Sequence, residues 1–187
     1  MIDLVTGKMT EKQKIIYKRY AKDVDLYAGY FDIESFIVDL NIKIKIYADT
    51  HYIRGMITKE KNIFTIHMNR NHKASVEAYR VYFARLLAHF FHHKKYLNSN
   101  EILDLPRYRM EKEQCWLWKY RESLIEDPQK VRMNIIANQF ALELLLPSEQ
   151  FIRRWRHDTC GASIAESFCV PPDTVMIRAS NLLGEFF

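Results

Sequence analysis

The run Ile42-Lys43-Ile44-Lys45-Ile46-Tyr47 alternates apolar and basic residues, the signature of a strand with one face buried. Arg54 to Thr58 and Ile63 to Met68 read as two more strands, joined by a polar turn at Lys59-Glu60-Lys61-Asn62. The period then changes. Ser75 is placed to cap a helix running to about Lys95, with Tyr79, Phe83, Leu86, Leu87 and Phe90 at helical spacing. Strands followed by long helices constrain the chain to an α+β arrangement: a small sheet early, helices around and after it.

The flanking segments fill in that outline. Lys12 to Tyr30 reads as a first helix, carrying Ile15, Ile16, Tyr20, Val24 and Tyr27 near helical spacing. Asp32 can cap a short second helix with Phe36, Ile37 and Leu40. From Asn98 to Pro128 the pattern is polar, aromatic and weakly periodic, and includes Trp116 and Trp118; helical pieces and loops are expected. Lys130 to Leu146 is a strong helix stopped by Pro147. A helix around Phe151 to Arg156 follows, then Ser163 to Phe168 and Asp173 to Leu183 as a pair turning at Val170-Pro171-Pro172.

At 187 residues, 48% hydrophobic and 27% charged, the chain suits one soluble domain with a sizeable core. That domain would comprise an N-terminal helix over about 11–30, a core over about 31–147 and a helical part over 148–187. With 28 basic residues against 23 acids, the excess permits an acidic or nucleic-acid partner without establishing one. Cys115, Cys160 and Cys169 form no C-x-x-C pair and no disulfide framework, which fits a reducing compartment. Met1-Ile2-Asp3-Leu4 does not start a signal peptide, and no apolar stretch approaches the ~20 residues that span a bilayer. A cytoplasmic protein without a membrane partner is expected.

The chemistry-bearing feature lies near the end of the long helix, at Ala88-His89-Phe90-Phe91-His92-His93. His89 and His93 are four apart and project from one helical face, where they could hold a metal between them. In His-Glu-x-x-His helices, the glutamate after the first histidine takes the proton from metal-bound water. Phe90 occupies that position and accepts no proton. His92 points about a hundred degrees away from its neighbour around the helix.

Other segments give this pair its company. Arg54-Gly55-Met56 leads into Ile63-Phe64-Thr65-Ile66-His67-Met68-Asn69 upstream. Ala137-Asn138-Gln139-Phe140-Ala141-Leu142-Glu143-Leu144-Leu145-Leu146-Pro147 forms a distinctive helix ending downstream. Ile164 to Val170 and Val175 to Gly184 complete the set. In this order, over roughly Phe31 to Gly184, these segments resemble the ImmA/IrrE family of metallopeptidases. The resemblance implies a zincin-like fold, with a small three-stranded or larger sheet packed on helices and a helical C-terminal end.

What the resemblance implies about activity is decided residue by residue. His89 and His93 match the family's two histidine ligands. Phe90 stands where the family has its catalytic glutamate. Ile136 stands where the third, carboxylate ligand is expected, and Glu143 aligns with a variable position. Two neutral imidazoles make a poor zinc site, because catalytic zinc takes three protein ligands and a water. Phe90 and Ile136 also make the surroundings apolar, which disfavours an unneutralised ion. His157, Glu111, Glu113, Glu122 and Glu126 are the groups that could approach from elsewhere and retain residual zinc.

The expectation is therefore a catalytically inactive pseudopeptidase, without a cofactor, that regulates by binding a protein. Because the family is similar to proteins acting on helix-turn-helix repressors in mobile elements or stress responses, such a repressor is the implied partner. A different reading makes the C-terminal helical pair a DNA-binding or transcription-associated module, using Arg178 and the cluster Arg153, Arg154 and Arg156. A third is a divergent zinc peptidase with recruited ligands.

Overall fold

A computed structural model of the chain describes residues 11–23, 29–48, 55–69, 75–93, 97, 103–104, 128–158 and 160–184. Helix α1 covers Glu11–Tyr20. The expected continuation of this helix to Tyr30 is replaced by a two-stranded antiparallel ribbon, β1 Ala21–Asp23 and β2 Gly29–Phe31, with Ala21 opposite Phe31. A continuous helix would carry residue 30 about 15 Å beyond residue 20. Folding back instead stacks Phe31 on Tyr17 with ring centroids 5.5 Å apart, and the Asp32 N–H donates to the Tyr20 carbonyl at 2.8 Å. Tertiary burial of aromatic rings overrides a helical spacing that was only approximate.

Helix α2, Ile33–Asp39, is capped by Asp32 as its sequence suggests: the Asp32 carboxylate accepts from the Ser35 N–H at 3.2 Å and from its hydroxyl at 3.0 Å. The helix ends where Asn41 adopts a left-handed conformation and the Ile42 N–H donates back to the Ile37 carbonyl at 3.2 Å. This closure launches β3, Lys43–Tyr47.

Strands β4, Gly55–Glu60, and β5, Ile63–Asn69, form a hairpin. Only Lys61 and Asn62 make its turn, both at positive φ, so Lys59 and Glu60 belong to the strand. Two central residues at positive φ give a primed turn whose twist matches the strands. Together with β6, Leu103–Asp104, the strands lie in the order β3-β5-β4-β6; β3 runs parallel to β5 and the other pairs are antiparallel. The expectation of helical pieces and loops over Asn98 to Pro128 is corrected at β6; Trp116 and Trp118 lie outside the described residues.

One face of the sheet, carrying Ile57, Phe64, Ile66 and Met68, is buried. It meets helix α3, Val76–His92, whose start is capped by Ser75 Oγ accepting from the Ala78 N–H at 3.3 Å. Gly55 permits the approach: a Cβ there would lie 2.9 Å from Met68 Sδ and 3.3 Å from Leu86 Cδ1. The expected single buried face of β3 holds only in part. Ile44 is half-buried but Ile46 is 67% exposed, because the helical layer does not cover the outermost strand there.

Helix α3 is buried nearly all round, from Arg80 through Phe83, Leu86 and Leu87 to His89. Its second neighbour is α4, Pro128–Leu145. After Pro147 come α5, Ser148–His157, α6, Gly161–Phe168, and α7, Pro172–Leu183. The paired helices are present, but the turn starts earlier than expected, at Cys169 in the left-handed region, and Pro172 already begins α7.

Buried arginines tie these layers together. Arg80 Nη2 donates to the Phe31 carbonyl at 2.8 Å and Nε to the Cys169 carbonyl at 3.0 Å, joining α3 to β2 and to the α6–α7 turn. Arg178 on α7 donates to the Leu146 carbonyl at 2.9 Å, to Ser148 Oγ at 2.8 Å and to the Glu143 carboxylate. Arg80→Met should lower unfolding free energy by about 2–4 kcal/mol, since two carbonyls lose their donor in the interior. Arg19→Met, which removes the exposed pair with Asp39, should cost under about 1 kcal/mol. Urea unfolding measures both; equal costs would contradict the staple role of Arg80.

Candidate functional site

The last turn of α3 carries the two histidines expected on one face, and the structure brings them together. His89 is 2% exposed and His93 4% exposed. His93 is the helix C-cap, its N–H donating to the His89 carbonyl at 2.9 Å. The side chains also meet, with the two Nδ1 atoms 2.9 Å apart. One ring must donate that hydrogen and the other accept it. With both rings neutral, one Nε2 then carries a hydrogen and the other a bare lone pair.

Electrostatics favour the neutral forms. Burial lowers the His89 pKa to about 3, assisted by the repulsion of His93, Arg85 and His92. Burial again, then His92, lowers that of His93 to about 4. A second imidazolium beside the first would add like charge in a low-dielectric site. His92, half-buried, is pushed down chiefly by burial, and its ring stands edge-on to Phe140 at 5.6 Å. Among the described residues, His89 Nε2 and His92 Nε2 are buried without a hydrogen-bond partner.

Phe90 points its ring edge-to-face at Phe64 of β5, with centroids 4.8 Å apart, and touches Phe91 at 5.1 Å. Phe91 in turn reaches Phe140 of α4 at 5.8 Å and Phe36 of α2 at 6.2 Å. The residue after the first histidine thus serves the packing between helix and sheet. Ile136 lies on α4, half-buried, one position before the buried Ala137. Glu143 is buried in the Arg178 and Ser148 network: its Oε2 accepts from the Ser148 hydroxyl at 2.7 Å. Its charge is already matched, about two turns along α4 from Ile136.

Of the remaining groups considered as ligands, one falls within the described residues. His157 is exposed at the end of α5, and Glu111, Glu113, Glu122 and Glu126 lie outside the described residues. Among the described residues no group of three or more histidines, cysteines, aspartates or glutamates could hold a metal ion. His89 and His93 alone supply two donors where a zinc site takes three or four, so these residues do not complete one.

The basic residues proposed for DNA are largely engaged elsewhere. Arg178 is buried, with its charge satisfied by Glu143. Arg154 donates to Ser163 at 3.1 Å and pairs with Asp158 at 3.4 Å. Arg153 and Arg156 remain exposed. The exposed positions of α7, Asp173, Met176, Ser180 and Asn181 among them, include no basic side chain.

Sequence reasoning passed over a second polar contact. His67 on β5 and Thr58 on β4 meet at 2.9 Å between Nε2 and Oγ1, and Lys45 lies directly opposite His67 across β3 and β5. Strand alternation held the signal, since Thr58, Thr65 and His67 all fall on the sheet face opposite the helix. Comparisons with family models, curated proteins and solved structures give no match.

Two measurements follow from the histidine geometry. With chelator present, the folded chain should bind fewer protons than the unfolded chain below about pH 6.5, the ordinary histidine value. The pair's contribution to stability is then whole above that pH and is lost as pH falls towards 4 and 3. The slope should reach at most ~1.4 kcal/mol per pH unit for each histidine. Urea midpoints from neutral pH downward, compared with His89→Leu/His93→Leu, isolate it; identical profiles would exclude it. Single replacements by leucine should each cost about 1–3 kcal/mol, and the double replacement less than their sum, because no orphaned partner remains. Strict additivity would rule out the direct imidazole contact.

Proposed function

We propose that the chain is a catalytically inactive relative of the ImmA/IrrE peptidases that regulates by binding a protein, with a helix-turn-helix repressor as the partner class. The observation that carries this reading is the closed state of the histidine pair. Its two Nδ1 atoms satisfy each other in a buried, electrically neutral contact. Peptide hydrolysis at such a site needs a base for water and a charge to balance the cation. Phe90 is spent on Phe64, Ile136 has no ionisable group, and Glu143 is spent on Arg178.

The zincin-like reading of the scaffold draws support from a small mixed sheet laid on the helix that bears both histidines. A cytoplasmic setting is in keeping with free thiols at Cys160 and Cys169. Among the described residues, no helix is long and apolar enough to cross a membrane. Binding rather than cutting is what a scaffold of this kind retains when its acid–base groups are replaced by packing residues.

The test uses the full chain, with and without added zinc, and a purified helix-turn-helix repressor with its operator DNA. The expected outcome is a shift in the repressor's operator binding with the repressor intact on a gel, unchanged in His89→Ala. Zinc-dependent cleavage that disappears in His89→Ala would overturn the reading. Protein purified without chelator should hold clearly substoichiometric zinc by elemental analysis; a full equivalent lost in His93→Ala would favour the divergent peptidase.

A further inference from the structure

We draw no further inference here: the strongest candidate, the histidine cluster in the last turn of α3 where His89 Nε2 and His92 Nε2 are buried without a hydrogen-bond partner among the described residues, belongs to the site already described.

Discussion

A guanidinium in a protein interior has to be given acceptors, and Arg80 finds them in two segments far apart in sequence. Its hydrogen bonds to the carbonyls of Phe31 and Cys169 hold the N-terminal ribbon and the C-terminal helical turn on the same helix. The cation also lies over the ring of Tyr30 at 5.1 Å, with Glu34 at 3.8 Å from Nη1. Without that cluster, α3 would still bury its apolar face against the sheet, but β2 and the α6–α7 turn would have no polar reason to meet there. Arg178 performs the corresponding task at the other end of α4, where Glu143 and the carbonyl of Leu146 converge on it. Buried ionic contacts of this kind add little net stability over apolar packing, yet they penalise every arrangement that separates the partners. They fix which elements touch.

The same constraint shapes the histidine site. A polar side chain in the interior needs a partner, and His89 finds His93 one turn later. Burial above all keeps both rings from charging, as the depressed pKa values record. A base that stays neutral to about pH 4 remains an acceptor at physiological pH, but among the described residues no carboxylate is bonded to it. Phe90, Phe91 and Phe140 meanwhile weld the helix to the sheet and to α4. The side chains after His89 therefore serve packing between the helix, the sheet and α4.

Much of this was readable in the residues because the determinants are local. Asp32 and Ser75 cap the helices that follow them, and Lys61-Asn62 closes the hairpin between two alternating runs. The histidine pair follows from helical geometry alone, since residues four apart share a face. What escaped is set by contacts between distant segments. Nothing within Lys12 to Tyr30 announces that Phe31 will stack on Tyr17, so the ribbon of β1 and β2 reads as more helix. Arg178 reads as a surface base until Glu143, 35 residues away, is placed beside it. Likewise the alternation of β3 is the same whether its apolar face is covered or, as at Ile46, left open.

That last ambiguity bears on where function resides. A strand at the centre of a sheet and one at its edge can share a sequence pattern, but only the edge strand keeps hydrogen-bonding capacity to spare. Several interior polar groups are spent on one another, Arg80 on carbonyls, Arg178 on Glu143 and His89 Nδ1 on His93, although His89 Nε2 and His92 Nε2 are not. Groups already satisfied offer little to a ligand, since any new contact must first replace an existing one. On β3, by contrast, Lys43 and Lys45 keep their charges in solvent and Ile46 is left 67% exposed, at a cost of about 1–3 kcal/mol relative to burial. Which of these groups is paired and which stays in water is set by the neighbouring elements, not by the local pattern of the strand or helix that carries it.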